Sequence, residues 1–409
     1  MDVTLYLFEK RIQVDAFQIC AIIAKQEVVV DIGKIFSFQL IELRKLFVAK
    51  GFDIRLVGGC VRDLMAGKNP KDVDLCTDAN PEEQISIYQD AGVRYVETGV
   101  EHGTITVILD GVPYEVTSLR LDVETDGRRA TVAYTRDWVK DLERRDFTIN
   151  AMSLTFDGEL VDPFNGLKDL REGLVAFVGN AETRIREDYL RILRWFRFRG
   201  QFGMGMSHSA RRAVIALTPG LKNISRERVW SEVKRIISGN DGPYMMLEMH
   251  QMGVAQWINL PDEVDWITLA QEAAELTRNP VTLMVALYET DAKSILRKWN
   301  ASSSEIRLAQ DLAWGFCRSS PLDPFYAMAV LGWSRENALE LAALSRLDPF
   351  DRAILEVWEV PVFPVNGNDL IASGLKPSPE FSHRISVMKN KWAKTGYRAT
   401  KQELMALFD

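Results

Sequence analysis

Only four cysteines occur in 409 residues, Cys20, Cys60, Cys76 and Cys317, and no two of them form a C-x-x-C pair. That scarcity argues against a disulfide framework and against thiolate zinc sites, and it fits a reducing, cytoplasmic setting. Histidine is as sparse. His102, His208, His250 and His383 contain no His-Asp pair and no metal-ligand spacing, so a histidine-based metal site has no donors to build on. Long hydrophobic runs are missing too. The apolar stretch from Phe17 to Ala24 falls far short of the roughly 20 residues needed to span a bilayer, and Met1 to Lys10 carries no basic leader, so no membrane partner is expected. No internal repeat or low-complexity tract interrupts the chain.

What remains is ample apolar material, 47% of residues, with 26% charged, which describes a soluble chain of two to four packed units rather than a disordered or fibrous one. The net charge of −7 speaks against a nucleic-acid partner, but the average hides an asymmetry. Between Arg171 and Arg235 there are 14 Lys or Arg against 6 Asp or Glu. A basic stretch of this kind is either an electrostatic footprint for phosphates or a set of solvated helix faces.

Helical spacing runs through Phe36, Leu40, Leu43 and Phe47 to a stop at Gly51. Ile54 to Val57 then reads as a strand, Gly58-Gly59 as a tight turn, and Val61 to Ala66 as the first turns of a helix. Val73 to Cys76 is a second predicted strand, Pro81 suits a helix start, and Gly103 to Leu109 and Val112 to Leu119 alternate as paired strands. Asp157-Gly158 marks a further hairpin. After about Gly179 the strand signals fade, and a helical pattern carries Trp195, Trp230, Trp257, Trp266, Trp299, Trp314, Trp333, Trp358 and Trp392, which are expected to pack cores.

Asp72 and Asp74 stand two apart in a predicted strand, whose period of two turns both carboxylates to one side. Paired hard oxygens suit Mg²⁺ bound beside substrate phosphates, and the chemistry that follows is phosphoryl or nucleotidyl transfer. Immediately upstream, the run from Leu56 to Asp63 offers side-chain-free backbone at Gly58 and Gly59, a helix N-terminus, and Arg62 placed for a forked contact, all of which attract phosphate. A plain tight turn is the bland alternative. Asp188, Arg191, Arg194 and Arg197 recur every three residues in a predicted helix and so line one face, which on spacing alone reads as an exposed salt-bridged surface.

The segment Leu56-Val57-Gly58-Gly59-Cys60-Val61-Arg62-Asp63 with Asp72-Val73-Asp74-Leu75 resembles the signature of the class II branch of the polymerase β nucleotidyltransferase superfamily, which comprises CCA-adding enzymes and bacterial poly(A) polymerases. Thr125 to Arg129, Arg144 to Ala151 and Glu187 to Arg194 match that branch in the same order, and the close resemblance covers roughly Phe52 to Ser238.

The resemblance implies a fold, an α/β nucleotidyltransferase head with a small mixed sheet, followed by all-α neck, body and tail domains. It also implies a division into an extension of unassigned role (1–34), head (35–179), neck (180–240), body (241–345) and a tRNA-binding tail (346–409), whose Asn366-Gly367-Asn368-Asp369-Leu370 is similar to tail segments of the family. Its activity would be template-independent addition of C, C and A from CTP and ATP to the 3′ end of tRNA, with Mg²⁺ on Asp72 and Asp74. Poly(A) synthesis, A addition alone, and a catalytically silent RNA-binding module remain the alternatives.

Within that resemblance Asp188 and Arg191 read the incoming base, since a carboxylate accepts and a guanidinium donates. Arg145 contacts the nucleotide from the head, Arg194 and Arg197 help hold base and triphosphate, and Arg128 and Arg129 lie in the family's flexible loop. Glu115 is read either as a third metal carboxylate or as a structural glutamate at a sheet edge.

Overall fold

The computed structural model describes residues 20–22, 29–31, 37–97, 99–100, 103–125, 130–203, 205–261, 267–316, 321–376 and 378–408. Arg128 and Arg129, most of the 1–34 extension, His102, Trp266 and Cys317 lie outside the described residues. Two compact units make up the chain, Met1–Ile224 and Ser225–Asp409, and the division falls inside the stretch read as the neck.

The first unit is built on a seven-stranded sheet. Its strands are β3 (Ile54–Val57), β4 (Leu75–Thr77), β5 (Arg94–Val96), β6 (Thr104–Leu109), β7 (Val112–Ser118), β10 (Ser153–Leu154) and β11 (Leu160–Val161), in the order β11-β10-β3-β4-β7-β6-β5. All neighbours are antiparallel except β4 and β7, so the sheet is mixed, as expected. Two separate two-stranded ribbons are also formed: β1 (Cys20–Ile22) with β2 (Val29–Asp31), and β8 (Arg120–Thr125) with β9 (Ala130–Tyr134).

One face of the sheet is covered by α1 (Phe38–Ala49) and α3 (Pro81–Asp90). Leu40, Leu43 and Phe47 of α1 and Ile87 and Tyr88 of α3 join Leu56, Leu75, Ile105, Val116 and Leu154 in one core. Each such burial is worth about 1.5–3 kcal/mol. Both helices start where the sequence signals it: Ser37 accepts from Leu40 N, and Asn80 with Glu83 closes a capping box ahead of Pro81. Between them α2 (Gly59–Met65) follows β3 directly, with Gly58 as its N-cap at φ +69°.

A short helix α4 (Trp138–Glu143), a 3-10 turn at Thr148–Asn150 and α5 (Gly166–Arg171) close the head. Helices α6 (Ala181–Glu187), α7 (Leu190–Phe202) and α8 (His208–Leu217) follow, ending in a 3-10 turn at Thr218–Asn223. Helix α7 buries Leu193, Trp195, Phe196 and Phe198, with Trp195 Nε1 donating to Val175 O at 3.0 Å.

The second unit is helical throughout its described residues, from α9 (Arg226–Ile237) to the last helix at Lys401–Met405. Trp230 stacks on Trp299 at 5.7 Å between centroids, and Trp392 gathers Val365, Leu370, Met388 and Leu404 around it. Those tryptophans and Trp195 do pack cores, whereas Trp314 is 64% exposed. Asn366 caps a helix at Gly367–Ala372 with Asp369 completing the capping box, as its sequence suggests.

Candidate active site

The parallel pairing of β4 with β7 sets Leu75 beside Val116, so the residue before each, Asp74 and Glu115, enters at the same end of the sheet. Both side chains line one concavity of about 230 Å³, together with Val57, Thr104, Thr117, Arg120, Arg144 and Arg145. Two expectations change here. Strand β4 begins at Leu75, so Asp72 and Asp74 stand in the loop that feeds it rather than in the strand, although Asp74 O still accepts from Val57 N at 3.1 Å. Glu115 is not at a sheet edge, because β7 lies between β4 and β6.

The three carboxylates Asp72, Asp74 and Glu115 are exposed, yet they feel one another. Desolvation within the concavity raises the Asp74 carboxyl above its ordinary value; Arg145 opposes the rise, Asp72 and Glu115 add to it, and Arg62 opposes it. Two negative neighbours and a set of hard oxygens are what a divalent cation neutralises, so the donors fit Mg²⁺. Among the described residues no group of three or more His, Cys, Asp or Glu side chains is drawn tightly enough to hold a metal by itself.

Arg145 forms the other wall. Its guanidinium packs where a Cβ on Gly58 would be, its Nη2 donates to Asp141 Oδ2 at 3.3 Å, and among the described residues its buried Nε has no acceptor. Asp141 is fully buried and takes Arg144 Nε and Nη2 at 2.9 and 2.8 Å and the Arg120 amide at 3.2 Å. Burial alone would raise its pKa, but Arg144 and Arg145 hold it below the usual carboxylate range. Gly59 lies on the side of Asp74: a Cβ there would stand 3.9 Å from Asp74 Oδ2 and 3.7 Å from Arg62 Nη2. Cys76, beneath Arg145, has its thiol pushed up to about 12 by burial, which keeps it protonated and unreactive.

Arg62 takes a different part from the forked phosphate contact its position suggested. It is buried, donates to Asn150 Oδ1 at 2.6 Å and to Asp63, and lies over the rings of Phe198 and Phe202 at 4.9 and 4.5 Å. The guanidinium thus ties α2 to α7. Asp146 extends the link, accepting from Asn150 Nδ2 at 3.0 Å and from Arg194 Nε at 2.7 Å. Against the desolvation of its carboxyl, Arg194 leads in holding the Asp146 pKa down.

The face carrying Asp188, Arg191, Arg194 and Arg197 is not one helix. Helix α6 ends at Glu187, Asp188 turns to an extended conformation at φ −153°, and α7 begins at Leu190. Asp188 Oδ1 accepts from Leu190 N, the first residue of α7, at 3.0 Å. Arg191 is half-buried, paired with Glu187, and donates to Arg184 O at 2.8 Å and to Arg144 O at 3.3 Å. The last contact brings it beside the Arg144-Arg145 wall of the concavity. Arg197 lies over Phe198 at 4.4 Å.

Asp141 was not singled out by the sequence reading. An aspartate three and four residues ahead of two arginines on a short helix is the signal that was available.

The chain matches the family model described as poly A polymerase head domain over residues 54–176, and that described as probable RNA and SrmB-binding site of polymerase A over 203–262. The mitochondrial CCA tRNA nucleotidyltransferase 1 of Danio rerio is 36% identical over 390 residues, which covers 91% of this chain and 90% of that protein. The CCA-adding enzyme of Leuconostoc mesenteroides is 38% identical over 346 residues, 80% and 85% of the two chains. The crystal structure of the Bacillus stearothermophilus CCA-adding enzyme in complex with CTP superposes with a TM-score of 0.73 at 26% identity, over 88% of this chain and 93% of that one. This chain is a nucleotidyltransferase and belongs to the family of CCA tRNA nucleotidyltransferases.

Proposed function

We propose that this enzyme adds C, C and A, taken from CTP and ATP, to the 3′ end of tRNA without a nucleic-acid template. The observation that carries the reading is the shared concavity in which Asp74 and Glu115 face Arg144 and Arg145. Asp72 and Asp74 would hold Mg²⁺, with Glu115 as the third carboxylate. The metal, when bound, supplies charge neutralisation at the triphosphate and a more acidic attacking hydroxyl.

The tRNA 3′-hydroxyl attacks the α-phosphorus and pyrophosphate leaves. Gly58 and Gly59 keep Cβ atoms out of the approach to α2, whose N-terminal amides favour anionic oxygens, and Arg145 adds a fixed positive charge held by Asp141. The bases are read by Asp188 and Arg191, with Arg194 and Arg197 behind them. Cytosine and adenine each present an amino donor beside a ring-nitrogen acceptor and satisfy a carboxylate and a guanidinium together. Uracil and guanine reverse the pattern and leave buried polar groups unpaired at about 1–3 kcal/mol each.

The basic stretch of 171–235 and the tail from residue 346 bind the acceptor end of the tRNA. The buried free thiols Cys60 and Cys76 favour a reducing compartment, which we take to be the cytoplasm. Among the described residues no helix is long and apolar enough to cross a membrane. Because the Danio rerio relative is named mitochondrial, imaging of a fluorescent fusion of the full chain tests that placement.

The functional test incubates the full chain and Mg²⁺ with tRNA transcripts ending before CCA, after C and after CC, with CTP, ATP or both, and sequences the products. Completion to CCA and no further is expected. Addition of A to the CC-ended transcript alone would identify an A-adding enzyme, and long A tracts a poly(A) polymerase. Absence of extension with retained tRNA binding would leave the RNA-binding module.

A further inference from the structure

Asp188 is extended between two helices, and its orientation depends on how the residue after it is seated. Tyr189, the N-cap of α7, is half-buried at φ −62° with its ring against Gly220 in the 3-10 turn that ends α8. A Cβ built on Gly220 would fall on Cε1, Cδ1 and Cγ of that ring, an overlap with the body of the ring rather than with a flexible tip. Gly220 has no left-handed φ to explain it. The position requires glycine because a tyrosine ring occupies the space.

The turn is held in its own right. Its start, Thr218, donates its hydroxyl to Ile215 O at 3.1 Å, Leu221 is buried, and Ile224 N closes on Leu221 O at 3.0 Å. On the other side of the ring, Ile192 N donates to Tyr189 O at 3.1 Å and Arg191 N to Asp188 O at 3.0 Å. Ring and cap are thus joined by contacts from the Gly220 turn to the Asp188 backbone, and the Asp188 carboxylate accepts from Leu190 N at 3.0 Å.

We propose that Gly220 and Tyr189 are positioning residues for nucleotide selection: the glycine seat fixes the tyrosine ring, and the ring fixes the break at which Asp188 and Arg191 face the incoming base. This rests on the reading of Asp188 and Arg191 as base readers. Ring carbons make the contact, so the hydroxyl has no part in it. A displaced ring lets Asp188 rotate and loosens discrimination before it reduces the rate, because Asp74 and Glu115 are carried at β4 and β7 and not at the break between α6 and α7.

The experiment compares Gly220→Ala, Tyr189→Ala, Tyr189→Phe, the Gly220→Ala/Tyr189→Ala double variant and Asp188→Ala in the full chain. It measures incorporation of CTP and ATP against UTP and GTP on tRNA lacking CCA, with KM and kcat separated and thermal melting recorded. Expected are a fall in discrimination of roughly tenfold or more for Gly220→Ala and for Tyr189→Ala, and wild-type selection for Tyr189→Phe. The double variant should be no worse than either single one, as coupled neighbours behave. Additive losses, or a uniform fall in kcat for all four nucleotides at unchanged selection, would overturn the proposal. If Gly220→Ala is too unstable to assay, the Tyr189 pair decides by the same criterion. Unchanged selection in Asp188→Ala would sink the base-reading assignment instead, which separates the two failures.

Discussion

Arg194 closes on Asp146 with two nitrogens, Nε at 2.7 Å and Nη2 at 2.6 Å, and so joins the polar face of α7 to the loop that follows α4. Asp146 is only 8% exposed and also serves Asn150 and the Phe147 amide. Replacing it by asparagine should cost about 2 kcal/mol, below the 3–5 kcal/mol typical of fully buried pairs because water reaches part of Arg194. Urea unfolding of Asp146→Asn measures this, and an unchanged midpoint would contradict it.

The folded pKa values of Asp141 and Asp146 are both depressed. Their contribution is therefore complete above the ordinary carboxylate pKa of about 4 and is lost as pH falls through the lower folded values. Thermal melting of the wild type should decline below about pH 4. The decline should be shallower in Asp146→Asn, which has one such proton fewer to take up.

Gly58→Ala should be severe on two counts. The backbone there is at φ +69° and ψ −124°, and a methyl group would meet the Arg145 guanidinium. The strained backbone alone costs about 1–3 kcal/mol. Displacement of Arg145 should raise KM for both nucleotides more than it lowers kcat, as loss of a nucleotide contact does. Steady-state kinetics at a temperature where the variant remains folded checks the second effect separately from the first.

Glu115→Gln distinguishes a metal ligand from a mere neighbour. As the third carboxylate, its loss should raise the Mg²⁺ concentration needed for half-maximal rate and cut kcat at least tenfold. A bystander would instead leave kcat intact and move the acid limb of activity to lower pH, because Glu115 raises the Asp74 pKa. Mg²⁺ titrations at several pH values tell the two apart.

Asp141→Asn should release both arginines it holds. Its carboxylate is fully buried between Arg144 and Arg145, and we expect a rise in KM for both nucleotides with a smaller change in kcat. Equal losses in kcat and kcat/KM would assign Arg145 to the transition state instead.

Much of the head was legible because its signals are local. The period of two in Thr104–Leu109, the Asp157-Gly158 hairpin and the capping sequence Asn80-Pro81 each report on a few neighbouring residues. The errors lie where the decision is non-local or falls on one residue. No periodicity announces that Asp188 leaves the helix, since the residues on both sides keep helical spacing. Nor does any local pattern place β7 inside the sheet, which depends on its parallel pairing with β4, far back in the chain. Arg62 reads as a phosphate ligand from its neighbours alone, but Asn150, 88 positions later, claims its guanidinium.

The single parallel pair in the sheet also has a consequence for synthesis. A nascent chain that has made β3 and β4 holds Asp72 and Asp74 but cannot place Glu115 until Asp78 to Gly111 has travelled out and back, and β3 lacks its second neighbour until β10 emerges at Ser153. The order of emergence from the ribosome therefore leaves the two aspartates on an unfinished sheet until Ser153 has emerged. Chemistry becomes available only to a chain whose head is complete.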